Sequence, residues 1–187
     1  MGILNRIFGT QKNKAKPYVD AGMALLYKLT VSFNLSGWKD GLPTYTRPEM
    51  EAIDRRLSSF QKMANDEMGG NARFHPEIVQ DLQRTLAAEA LLELAGNKWK
   101  FSDETPKDWK EHVATYLKAW AGGLNPMALL ELGDLLARVG YQSEARETFQ
   151  VVLLFPTYAD TYYRGQRKAE LVESIVESAK ESLRDLG

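Results

Sequence analysis

The chain has 187 residues, 44% of them apolar and 26% charged, enough for one domain with its own core. It has no cysteine, which excludes disulfides, thiolate nucleophiles, zinc fingers and iron–sulfur clusters together. Its 24 Lys and Arg against 25 Asp and Glu give a net charge of −1, without the basic excess of a general nucleic-acid binder.

The charge is uneven along the chain. Residues 1–19 carry Arg6, Lys12, Lys14 and Lys16 with no acid, so the rest is mildly acidic. This divides the chain into a basic amphipathic arm and linker, 1–16, and a single helical domain, 17–187. In the arm, Ile3, Leu4, Ile7 and Phe8 fall on one side of a two-turn helix, with Arg6 on the other. Apolar residues backed by bases suit an anionic membrane surface or a partner. Two turns are marginal alone in water, so such contact is weak without a second one. Gly2 invites a myristoylation reading, but Arg6 stands where that motif wants Ser or Thr. No apolar run approaches the ~20 residues that span a bilayer, and no secretory leader is legible. The expected location is cytoplasmic, with peripheral membrane attachment through the arm.

About seven helices follow in chain order. Pro17 opens the first, 17–34, with Met23, Leu26, Leu29 and Phe33 at helical spacing. Residues 34–47, NLSGWKDGLPTYTR, read as a long loop. Pro48 suits the first turn of a second helix with the stripe Met50, Ile53, Leu57, Phe60 and Met63, ending near Gly69 and Gly70. Pro76 opens a third, with Ile78, Leu82, Leu86 and Leu94 inward, ending at Gly96-Asn97. Thr105-Pro106 begins a fourth by a cap and a first-turn proline, and Gly122-Gly123 ends it. Asn125-Pro126 repeats that start for a fifth, ending at Gly140. Ser143 caps a sixth and Thr157 a seventh, in which Val172, Val176, Ala179, Leu183 and Leu186 form a seam. No strand pattern competes over a useful length. The fold class is all-α.

Residues 126–156 read PMALLELGDLLARVGYQSEARETFQVVLLFP. Leu129, Leu132, Gly133 and Leu136 place large apolar residues and one small residue on the first helix. Gly140 falls at the turn, and Ala145, Phe149 and Val152 are the small, large and apolar residues of the second. This stretch resembles a tetratricopeptide (TPR) repeat, a hairpin of two antiparallel helices. Its Pro156 sits one residue before the usual closing proline. The resemblance implies a right-handed superhelix if the flanks are degenerate repeats, or an irregular bundle if they are not. It also implies a protein or peptide partner on the concave face, contacted by Met127, Leu130, Asp134, Ala137 and Arg138. Some members grip acidic C-terminal peptides with Lys and Asn; Leu130 and Asp134 stand at those positions, so a basic or apolar ligand is expected instead.

No catalytic constellation is legible, and no cofactor or metal is expected. His75 and His112 lie outside HExxH and ExxH spacing, and His112 follows Asp108 by four residues, the spacing of a local ion pair. No phosphate loop, dinucleotide turn or nucleophile elbow occurs. Loop aromatics Trp38, Tyr45, Trp99 and Phe101 suit either loop anchoring or binding. The leading expectation is a non-catalytic adaptor or scaffold subunit. One alternative is an enzyme or small-ligand protein with a site among Trp99, Trp109, His112 and Trp120. Another is a structural subunit whose C-terminal seam packs on a second copy.

Overall fold

The computed structural model describes residues 12–67, 76–97, 99–100, 105–162 and 166–187. It is a bundle of helices with one small β-hairpin: α1 Lys12–Phe33, β1 Trp38–Lys39, β2 Leu42–Pro43, α2 Arg47–Glu67, α3 Pro76–Gly96, α4 Trp109–Gly123, α5 Pro126–Arg138, α6 Gln142–Val152, α7 Phe155–Tyr162 and α8 Gln166–Asp185. The arm residues Ile3, Leu4, Arg6, Ile7 and Phe8, and also His75 and Phe101, lie outside the described residues.

The first helix begins at Lys12 rather than Pro17, which lies inside it. Proline removes one backbone donor and crowds the preceding turn. Tertiary packing overrides that local signal, because Ala15, Tyr18 and Val19 are all buried around it. Of the expected stripe, Leu26, Leu29 and Phe33 are buried as the spacing predicts, and Met23 alone departs from it. Met23 is exposed, while Tyr18, Gly22 and Leu25 also turn inward. Gly22 passes against Trp120, where a β-carbon would lie 2.1 Å from the indole, so α1 and α4 cross in close contact. Tyr18 Oη donates to Leu124 O at 3.1 Å and accepts from Trp120 Nε1 at 2.9 Å, so this crossing is satisfied as well as packed.

Residues 34–47 are not a plain loop. Asp40 and Gly41, at φ 52° and 76°, turn the chain so that Trp38 pairs with Pro43 and Lys39 with Leu42. Positive φ at both central residues is the requirement of a tight hairpin turn, and Asp-Gly is its strongest short signal.

Other boundaries move for local reasons. The fourth helix starts at Trp109 with Asp108 at its N-cap, not at Thr105-Pro106. It runs through Gly122 and Gly123 and stops at Leu124, a left-handed residue whose N–H bonds Trp120 O at 2.6 Å. Leu124 accepts that backbone because a two-residue link must reverse the chain into α5, and its side chain is buried there. Asn125 caps α5 as expected, its Oδ1 accepting from Met127 N at 3.0 Å with Pro126 in the first turn. The sixth helix starts at Gln142 after Tyr141, and Ser143 is not its cap. Thr157 lies inside α7, its hydroxyl donating to Leu154 O at 2.7 Å.

The core joins α1, α4, α5 and α6 with the inward sides of α3, α7 and α8. At the α5–α6 hairpin, Gly133 lies under Phe149, where a β-carbon would come within 2.5 Å of the ring. The C-terminal seam closes on the same chain. Ile175 and Ala179 are buried, and Val172, Leu183 and Leu186 pack on the core. Arg146 Nη2 ties its end by donating to Leu186 O at 3.2 Å and Gly187 O at 2.7 Å. The seam is therefore already covered by its own hairpin.

Candidate functional site

Of the five residues assigned to partner contact, Ala137 is half-buried against the core, and the chain itself occupies most of the surroundings of the other four. Leu130 is buried in the core at 8% exposure, which corrects its assignment to a contact surface. It fails as a contact because helix α5 has neighbours on more sides than a two-helix hairpin alone supplies. Met127 is half-buried against the same core. Asp134 is exposed, yet Ser182 of α8 donates to its Oδ1 at 3.4 Å. Desolvation raises its carboxyl to about 6, and neighbouring Glu131 adds to the rise. Arg138 extends over Trp99, 5.7 Å from the ring centre, with Nη1 3.4 Å from Trp99 O. A second helix and an inter-helix connection thus sit where a partner was expected.

Beside this face is a buried polar patch. Trp99 Nε1 donates to Tyr116 Oη at 2.9 Å, and Glu131 forms an ion pair with Lys100. Burial, together with the charge of Glu131, pushes the Tyr116 hydroxyl well above its usual range. Glu131 Oε2 meets no hydrogen-bond partner among the described residues.

The four residues of the alternative inter-helix site do not converge. Trp109 packs with Phe33 and Tyr141, at centroid distances of 5.1 and 5.0 Å. Trp120 packs with Tyr18, and Trp99 sits against Tyr116 and Arg138. His112 is buried, with Nε2 3.3 Å from Asp108 Oδ1, the i,i+4 contact its spacing suggests.

His112 does line a different place, a cleft of about 510 Å³ among the β-hairpin, the start of α2, the end of α3 and α4. Its floor is the ion pair Glu49–Lys118, with side-chain exposures of 4% and 2%. Lys118 Nζ lies 2.8 Å from Glu49 Oε2 and 3.0 Å from Oε1. Thr115 Oγ1 donates to Oε1 at 2.9 Å, and Thr46 N donates to Oε2 at 2.7 Å. Thr46 precedes α2 and Glu49 is its third residue, so one carboxylate both accepts the Thr46 N–H at the start of the helix and neutralises a buried lysine. Burial by itself would raise the Glu49 carboxyl. The bonds from Lys118, Thr46 and Thr115, with the Lys118 charge, outweigh it and hold the carboxyl below its ordinary value. Sequence reasoning missed this pair. Its signals were a Thr-x-x-Glu spacing at 46–49 and a lysine inside the apolar run of α4.

The α2–α3 hairpin offers a different kind of surface. Of α2's residues, Glu49 and Ala52 alone are buried. Met50 is 49% and Met63 55% exposed, with Ile53, Leu57 and Phe60 half-buried between them. Arg56 reaches Glu89 across the hairpin at 2.7 Å. Among the described residues, no helix is long and apolar enough to cross a membrane, and no three His, Asp or Glu side chains gather as metal ligands.

Compared with known proteins, the chain matches no family model, and no curated protein or solved structure shows significant similarity to it.

Proposed function

We propose that this chain is a non-catalytic adaptor or scaffold subunit that binds a protein partner through the outer side of α2. The half-open apolar stripe of that helix carries the reading. A helix that buries two of its residues and keeps two methionines half exposed lacks a cover on one side. Unbranched methionine adapts to differing partner shapes, which suits such a surface. The partner chemistry that fits is an amphipathic helix laid with its apolar side along the stripe. The α5–α6 hairpin, with Gly133 under Phe149, supports the tetratricopeptide-like reading of 126–156. On that reading, 126–156 serves to hold the domain together while α2 makes the contact. Attachment of the assembly to an anionic membrane through residues 1–11 is the further part of the proposal.

The test captures tagged full-length chain from its native lysate and identifies what remains bound. A stoichiometric partner is expected, lost when Met50 and Met63 are both changed to Lys and kept when Met127 and Arg138 are changed to Ala. Recovery of the chain alone, or a partner indifferent to the double lysine variant, would sink the reading. For the arm, flotation with phosphatidylserine vesicles compares the full chain with 12–187. Equal flotation removes the membrane claim.

A further inference from the structure

The cleft over Glu49 and Lys118 has one unfilled bonding position at its floor. The Glu49 carboxylate already receives the Thr46 N–H, the Thr115 hydroxyl and two ammonium donors, so its acceptor capacity is used and its charge is cancelled. A lysine ammonium has three donors. Two point at Glu49, and the third meets no acceptor among the described residues. Gly37, at φ +98°, makes room for that ammonium, since a β-carbon there would lie 2.7 Å from Nζ. A buried donor without an acceptor is costly, so a ligand or solvent oxygen belongs beside it.

The walls say which ligand. Five hydroxyl-bearing residues line the cleft, Ser36, Thr44, Tyr45, Thr46 and Thr115, the last with its proton already engaged by Glu49 and Glu111 O. Burial and the Glu49 charge raise the Tyr45 hydroxyl, so it keeps its proton and serves as a donor. A hydroxyl is both donor and acceptor, and its natural counterpart is another hydroxyl. Charge points the same way. The Glu49–Lys118 pair cancels its own charge at the floor, so neither an anion nor a cation finds an uncompensated partner there. An uncharged ligand leaves the buried pair undisturbed. The volume falls within the range of small-molecule sites.

We infer that this cleft binds a small uncharged polyhydroxylated molecule, of mono- or disaccharide size, with one oxygen on the open N–H of Lys118. The site is separate from the α2 stripe and does not depend on the adaptor reading.

The test is amide chemical-shift mapping of the full chain titrated with glucose, galactose, maltose, sucrose and myo-inositol, with acetate and spermidine as charged controls. At least one polyol is expected to give saturable shifts at Gly37, Thr44–Thr46 and Thr115 with a Kd of about a millimolar or tighter. The rim variant Thr44→Val/Tyr45→Phe leaves the floor intact, and it should weaken that binding about tenfold while keeping the wild-type melting temperature. Shifts that stay linear and scattered for every polyol overturn the inference. So does saturation by acetate or spermidine instead, or a rim variant that binds as well as the parent.

Discussion

The hairpins α2–α3 and α5–α6 are the same supersecondary unit in opposite surroundings. In α5–α6 the helices interlock at Gly133 and Phe149, and α4 and α8 cover their remaining sides. In α2–α3 the first helix is anchored at its base by Glu49 and then runs outward with its apolar stripe half open. The difference lies less in either helix's own sequence pattern than in what the rest of the chain lays against it. A covered hairpin contributes stability, whereas an open one keeps apolar surface for another molecule.

The largest expected effect tests the anchor of the open hairpin. Lys118→Met leaves the Glu49 charge buried and unpaired, and should cost about 3–5 kcal/mol in urea unfolding. The double variant Glu49→Gln/Lys118→Met should recover much of that, because no isolated charge remains. A single variant as stable as the parent would mean the pair does not anchor α2. Next in size is Gly133→Ala, which forces the Phe149 ring out of a packed site and should cost about 1–3 kcal/mol. Gly122→Ala, where a β-carbon meets nothing within 4 Å, is the control and should be near neutral.

The smallest effect concerns the contact that closes α8 over α5. Asp134 is raised from 3.8 to about 6 in the folded chain. A carboxyl that holds its proton more tightly when folded makes stability fall as pH rises from about 4 to about 6, after which the loss is complete. Because Asp134 keeps contact with water, the cost is discounted to about 1 kcal/mol. Asp134→Asn should remove that slope between pH 4 and 7 and stabilise the chain slightly at pH 8. An unchanged slope would show that the α5–α8 contact does not sense this group.

Much of the helical order was legible because its signals are local. Asn125-Pro126 sets the start of α5, Gly140 its turn, and helical spacing the inward sides of most helices. Local reasoning erred where one signal met a stronger distant one. Pro17 lost to the burial of Ala15, Tyr18 and Val19, and Thr105-Pro106 lost to a start at Trp109. The Asp40-Gly41 turn was local and readable, but it was passed over because its strands are two residues each. The candidate site was hardly legible at all. His112 was singled out, yet the company expected for it lies in three separate packing clusters.

By itself the amino-acid sequence determined the all-α class, most helix positions, the lack of thiol chemistry and the capped link into α5. These follow from spacing, capping and composition, which act within a few residues. Tertiary structure alone decided that Leu130 is buried, that α8 rests on the hairpin, that α2 stays half open, and that Glu49 and Lys118, 69 residues apart, form the floor of one cleft. Such pairings depend on which surfaces meet after the helices pack, and no local pattern records them.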